Sequence, residues 1–468
     1  MFALKKFNQI FSISLHSILE SIKLISLMKN YTKSNSVVYF PVLKKFYFNT
    51  EIFRELIEGK MKQSKPLPTI FLTVFLDLLG VGLIIPILAP LLLGKESELF
   101  SESTDFSTRT IIFGLLMASY SFSQFFSSPI LGSLSDKYGR RNLMIFSLIA
   151  TIIGYLLFTI GIHFNSLFLL FLGRIIPGLS SGNITIAYSS LADVSTPAEK
   201  TKNFGLVGMA FGLGFVVGPF IGGHLANNKI SSFFSFETPF VFATLLSIIN
   251  LYLVYRNFPE TLKEKKKEEI SLFKGIKNII IAFSSKKTRR LNVVIFINTL
   301  GFAFFTQFFL VILVDKFNFR QENIGTLYGF LGLWVAISQG LIIRPLSKRL
   351  RPEKIAIFTL PLLSLALFLL YFPQESFFLY LIIPLIAFSQ SSSNSSLTAT
   401  VSNLARDDEQ GEKLGITLSM NFLAQSIPPL IGGALVAKFI YMPVFASSGL
   451  VLIAWLIFIT FYLRTIKK

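Results

Sequence analysis

Two ionisable side chains stand alone inside long apolar runs: Asp77 between Leu67 and Leu93, and Arg174 between Leu167 and Leu191. A charge at the centre of a membrane helix costs on the order of 2.5–3.5 kcal/mol. Each therefore needs a partner or a task. At 1.5 Å per residue, Asp77 lies about 13 Å beyond Pro68, and Arg174 about 18 Å from the same face, so the depths differ by about 5 Å. An arginine side chain spans that gap. A paired Asp77 stays ionised, and separating the pair leaves a desolvated carboxylate that captures a proton. A static tie between two spans is the alternative reading of the same residues. Other chemistry is scarce. There are no cysteines and only 3 histidines, so thiolate sites and disulfides are excluded and little remains for metal binding. No nucleophile–base constellation appears. The sequence predicts no enzyme, no cofactor and no metal site.

The elements that hold these residues are membrane spans. Hydrophobic residues make up 52% of 468, mean hydropathy is +0.64, and charged residues are 15%, against roughly 25% in a soluble domain. Apolar segments long enough to cross the hydrocarbon core fall at roughly 67–93, 109–131, 142–163, 166–191, 203–226 and 238–257. Six more fall at roughly 291–314, 323–344, 354–372, 376–402, 414–440 and 443–463. The net charge of +19 is concentrated on one side of these spans. Lys137, Arg140 and Arg141 follow the second span, Arg344 to Lys354 the eighth, and Arg464, Lys467 and Lys468 the twelfth, while 256–290 is densely basic. The first alternate loop is acidic, with Glu96, Glu98, Glu102 and Asp105. The positive-inside rule puts both termini in the cytoplasm and makes the basic excess a topology signal, not a nucleic-acid site.

Residues 1–66 form a separate tail in which Leu24 and Ile25 are interrupted by His16, Glu20 and Lys23, with no small-residue cleavage site behind them. It reads as a basic segment lying on the membrane, an organellar presequence, a disordered tail, or sequence upstream of a start at Met61. The remainder divides into a six-span half (67–257), a charged central loop (258–290) and a second six-span half (291–464). A shift of 210 residues places Gly205 on Gly415, Pro219 on Pro429, and Gly222-Gly223 on Gly432-Gly433. At a slightly different offset, Asp77 falls on Asn298. Such parallel repeats place a cavity between halves near the midplane. In the central loop Leu272, Phe273, Ile276, Ile279 and Ile280 recur at helical spacing, predicting a short surface helix.

Three motifs carry a family resemblance. Gly214-Phe-Val-Val-Gly218-Pro219-Phe-Ile-Gly222-Gly223 strips one helix face of side chains, allowing backbone-to-backbone packing, or simply a tight helix crossing. It resembles the antiporter motif in the fifth helix of Major Facilitator Superfamily drug exporters. Gly132-Ser-Leu-Ser-Asp136-Lys-Tyr-Gly139-Arg140-Arg141 resembles that family's loop between helices two and three. A solvated basic turn would explain the arginines but not the ordered glycines and aspartate. The resemblance implies a conformational latch in which Arg140 pairs with Asp193, while Gly132 admits a helix of the other half. The second half has Arg344-Pro-Leu-Ser-Lys348-Arg349 there, so the latch is one-sided. Gly173-Arg174-Ile-Ile-Pro-Gly178-Leu-Ser-Ser-Gly182 is similar to the motif associated with proton transfer.

The resemblance covers nearly all of 67–464 and is nearest to twelve-helix drug:proton antiporters, particularly tetracycline exporters. It implies an all-α integral membrane fold of two six-helix bundles, with Asp77 and Arg174 coupling protons to the efflux of amphipathic molecules. The chain would act as a monomer in the inner membrane, and its partners would be protons, lipid and a small molecule. Spans three and nine contain no acid, where tetracycline exporters are expected to carry aspartates, and this argues against tetracycline as the substrate. Tyr120, Gln124, Gln307, Gln390, Ser393 and Asn394 are candidates for the substrate cavity, or else for hydrogen bonds between helices. Proton symport of a metabolite and a non-transporting membrane sensor are the competing functions.

Overall fold

A computed structural model describes residues 66–94, 99–101, 103–195, 197–262, 280–284, 289–404 and 410–466. The readings of the tail, of Glu96, Glu98 and Glu102, of the lysine runs at 265–267 and 286–287, and of the spacing from Leu272 to Ile279 lie outside the described residues.

In a bilayer core an apolar chain must satisfy its own backbone, and helices do so within a single segment. Among the described residues twelve long helices form in chain order: α1 Pro66–Leu93, α2 Phe106–Tyr138, α3 Arg140–His163 and α4 Leu167–Val194. After them come α5 Pro197–Leu225, α6 Thr238–Asn257, α7 Arg289–Asp315 and α8 Gln321–Leu346. The last four are α9 Pro352–Leu369, α10 Phe377–Leu404, α11 Gln410–Lys438 and α12 Met442–Ile466. Among the described residues 11 are long and apolar enough to cross a membrane, and α5 adds a shorter apolar stretch, Gly212–Leu225. The chain is a multi-pass membrane protein. Asp105 starts α2: its carboxylate accepts the Thr108 amide at 3.3 Å and the Thr108 hydroxyl at 2.5 Å.

The packing is duplicated. In the first half α1 packs on α5 and α6, α3 on α4 and α6, and α2 on α4. In the second, α7 packs on α11 and α12, α9 on α10 and α12, and α8 on α10. The halves meet through α2 against α11 and α5 against α8, two crossings related by the same repeat. Their closest approaches lie toward the face opposite residues 66 and 466. A methyl group on Gly114 would lie 3.0 Å from the Pro429 carbonyl oxygen, and one on Gly223 would lie 3.0 Å from Gly325 Cα. The Phe113 and Phe308 rings meet edge-on at 6.0 Å, both fully buried, on the same side of the molecule.

The fifth-helix glycines serve both contacts. Gly214, Gly218 and Gly222 recur every four residues and face Leu78, Gly82 and Leu83 of α1. A methyl group on Gly218 would lie 2.8 Å from Gly82 Cα, so the two backbones touch. Gly223 turns the other way, against Gly325 of α8, and the Pro219 carbonyl faces that side while its ring stays against Gly82. Repetition every four residues makes one face, and the offset Gly223 makes the second.

Candidate functional site

Helix α4 is not continuous. Its first segment ends at Leu179, three residues break it, and a second segment runs Asn183–Val194. Pro177 lacks an amide hydrogen and its ring crowds the preceding turn, so the helix loses a bond near this point. The break puts Asn183 at the start of a segment, where its side chain reaches α1. Asn183 Nδ2 donates to Asp77 Oδ1 at 2.9 Å. Asn183 is 5% exposed, and its own Oδ1 is buried without a hydrogen-bond partner.

Asp77 and Arg174 line one cavity of about 80 Å³, together with Tyr120, Gln124, Thr151 and Tyr155. Its apolar wall includes Phe158 and Phe240, stacked at 4.4 Å. The expected Asp77–Arg174 ion pair is not formed among the described residues. Asp77 bonds Asn183, while the Arg174 guanidinium lies over the Tyr120 ring, 4.7 Å from its centroid, with Nε buried and unpartnered. A cation over an aromatic face is attracted by the ring quadrupole, which gives Arg174 a partner that sequence spacing does not reveal. The cavity therefore keeps a negative and a positive group on separate supports.

All of its lining comes from α1, α2, α3, α4 and α6, within the first half. Gln307, Gln390 and Asn394 are not among the residues that line it. Gln307 Nε2 donates to the Gln425 carbonyl of α11 at 3.1 Å, Gln390 is half-buried, and Asn394 is exposed. Ser393 donates to Thr359 of α9 at 2.9 Å, which makes it a link between helices.

At the face of residues 66 and 466, the α2–α3 turn is a dense charge cluster. Arg140 is 5% exposed, its Nη1 meets Asp136 Oδ1 at 2.5 Å, and its Nε meets Asp193 Oδ2 at 3.1 Å. Asp136 and Arg140 stand four residues apart, and Asp193 arrives from the end of α4. Ser135 Oγ accepts a further bond from Nη1 at 2.5 Å. Buried guanidinium is tolerable when its donors are matched by ionised acceptors in this way.

A residue that sequence reading missed completes the cluster. Glu260, just past α6, accepts the backbone N–H of Arg140 at 2.9 Å and of Arg141 at 3.3 Å, capping the otherwise open start of α3. Thr261 Oγ1 donates to Asp193 at 3.1 Å. Gly139 has φ +103°, and a methyl group there would lie 3.0 Å from Glu260 Cδ, so both backbone and space require glycine. Arg141 donates to the Tyr255 carbonyl and lies over that ring at 5.5 Å. The signal available in sequence was an isolated acid, Phe258-Pro259-Glu260-Thr261, at the end of a span. Gly132 does not contact the other half: a methyl group there would meet Thr185 of α4 at 3.4 Å.

A duplicated twelve-helix bundle with a broken helix, a half-buried carboxylate facing a cavity and a charge cluster at one face defines a membrane transporter. The chain belongs to the Major Facilitator Superfamily, whose profile matches residues 70–427 and 340–468. It is 29% identical over 378 residues to a class C tetracycline resistance protein of Escherichia coli, covering 81% of this chain and 91% of that protein. It is 26% identical over 388 residues to the quinolone resistance protein NorA of Staphylococcus aureus (strain COL), covering 82% and 94%. The human organic anion transporter MFSD10 (TETRAN) has the same fold, with a TM-score of 0.66 at 22% identity over 85% of this chain and 100% of that one. This is a family of transporters, not of enzymes.

Proposed function

We propose that this protein exports small amphipathic molecules, drugs among them, in exchange for protons. The observation that carries the reading is Asp77: a carboxylate deep in an apolar helix, facing a cavity and held by the amide of Asn183 at a helix break. A carboxylate there gains or loses a proton with little competition from water. In the cycle, protons reach Asp77 from outside and the protonated protein makes the return stroke after substrate release. The halves, 67–257 and 291–464, rock about the α2–α11 and α5–α8 crossings, with the Arg140 cluster acting as the latch. The site residues act together as a monomer in the inner membrane, both termini in the cytoplasm, because the basic loops fall on the side of the termini. Relatives named for tetracycline and quinolone resistance support efflux over import. The lack of acids in α3, and in α9 beyond Glu353, favours a substrate other than tetracycline.

The test is proton movement in inverted vesicles under an imposed pH gradient with a panel of amphipathic drugs. Drug-triggered collapse of the gradient, abolished by Asp77→Asn, is expected. Collapse that persists in the variant would take Asp77 out of the coupling step, and no response to any drug would overturn export.

A further inference from the structure

The cavity holds two opposite charges that do not neutralise one another. Asp77 is anchored by Asn183 and Arg174 by the Tyr120 ring. Unmet hydrogen-bonding capacity remains on both sides: Arg174 Nε is buried without an acceptor, and Asn183 Oδ1, beside Asp77, is buried without a donor. Orphaned buried polar groups are uncommon in native proteins and need an explanation. Here the missing complement is a ligand with an anionic end for Arg174 and an N–H-bearing cationic end for Asp77 and Asn183. Binding sites commonly combine an apolar wall with a few fixed polar groups that orient the ligand, and Phe158, Phe240 and Tyr155 supply that wall. A cavity of about 80 Å³ compares with the about 10–15 Å³ of such space that one water needs. It holds a compact head group, with the bulk of a larger molecule outside it.

Resting on the export reading above, we propose that this cavity selects aromatic substrates carrying a compact zwitterionic head group, carboxylate toward Arg174 and ammonium toward Asp77. A singly charged analogue leaves one protein charge unmatched and binds more weakly. Two separated charges also explain why an internal ion pair is not used: it would consume both recognition elements.

The experiment is equilibrium dialysis of the purified full-length protein in lipid nanodiscs against three fluorescent probes: 3-(2-naphthyl)alanine, its methyl ester and its N-acetyl derivative. These are zwitterion, cation and anion on one aromatic body. The zwitterion is expected to bind at least about 10-fold more tightly than either analogue, a factor of ten corresponding to one matched charged contact. Arg174→Gln should remove its advantage over the ester, and Asp77→Asn its advantage over the N-acetyl acid. Arg174→Lys keeps the charge and should retain a reduced preference, separating recognition from a folding defect. Equal binding of the three probes, tighter binding of the ester, or no binding of any probe to wild-type protein would overturn the proposal. Drug-driven proton exchange in vesicles alongside such a result would leave the export reading standing. Zwitterion-selective binding without proton exchange would remove export and keep the head-group site.

Discussion

Asn183 and Asp77 are 106 positions apart in the chain and joined by one hydrogen bond of 2.9 Å. Because Asn183 opens the second segment of α4, any change in the break at Ser180–Gly182 moves the amide that holds the carboxylate. Hydrogen bonds to charged groups contribute about 1.5–3 kcal/mol, so Asn183→Ala should slow drug-driven proton exchange about tenfold or more while protein yield is unchanged. Equal rates in variant and wild type, measured by vesicle acidification, would make the bond incidental to the exchange.

The α1–α5 seam makes a prediction with a built-in control. Gly218→Val forces side-chain atoms into Gly82 Cα, which stands 2.8 Å from the first added carbon. Overpacking of this kind costs about 1–3 kcal/mol, and Tm should fall with transport. On the same helix a methyl group on Gly212 meets nothing within 4 Å, so Gly212→Ala should behave as wild type. Loss of function in both would point to helix propensity, not to the seam.

Glu260 is expected to fasten the central loop to the latch. Removing it leaves the part-buried Arg140 amide and the exposed Arg141 amide without their acceptor, at a cost of about 1 kcal/mol for a typical hydrogen bond. Glu260→Ala should lower Tm and speed proteolysis within 258–290. A cleavage rate identical to wild type would show that the cap does not restrain the loop.

The absence of cysteine in the chain gives a clean background for cross-linking. Gln321 Nε2 donates to the Ala226 carbonyl at 2.9 Å, joining the end of α5 to the start of α8. The double variant Ala226→Cys, Gln321→Cys should cross-link with a short bifunctional thiol reagent and stop exchange. Undiminished turnover in cross-linked protein would place the moving contact elsewhere.

The start of α2 has its own pH dependence. The Thr108 hydroxyl and amide hold the Asp105 carboxyl below the ordinary carboxylate range of 3.8. A lowered folded value means that the cap is fully present above the ordinary value and is lost as pH falls through the lowered one. The protection factor of the Thr108 amide, its exchange relative to an unstructured amide at the same pH, should therefore fall at acidic pH in wild type and be low at all pH in Asp105→Ala. A flat profile in wild type would discount the cap.

What sequence could reveal follows the range of the interaction. The spans are legible because solvation acts residue by residue along 20-residue windows. The Asp136–Arg140 pair is legible because four residues return to the same helix face. Asp193 needed the family resemblance, since spacing alone cannot say which helix end lies beside the α2–α3 turn. The placement of Arg174 over Tyr120 was hidden for a related reason: matching depth in the membrane fixes height, but not the direction a side chain takes around its helix axis. Glu260 was passed over because an acid beside a basic loop looks like an ordinary surface charge until the N–H groups of α3 are seen to point at it. The cavity around Asp77 is lined from the first half alone, which helix-by-helix reading does not reveal because it depends on how α1, α2, α3, α4 and α6 turn about their axes.

The glycine seam also bears on how this protein can change under selection by a toxic compound. Gly82, Gly218, Gly223 and Gly325 already carry the smallest possible side chain at crossings where backbones touch. Every substitution there adds bulk, so this part of the molecule has only losses available to it. Variation that widens or shifts the range of compounds tolerated by a cell should accumulate in the wall around Asp77 and Arg174, at Gln124, Thr151 and Phe240. The mechanical core is then inherited nearly unaltered, while the recognition surface records the history of exposure.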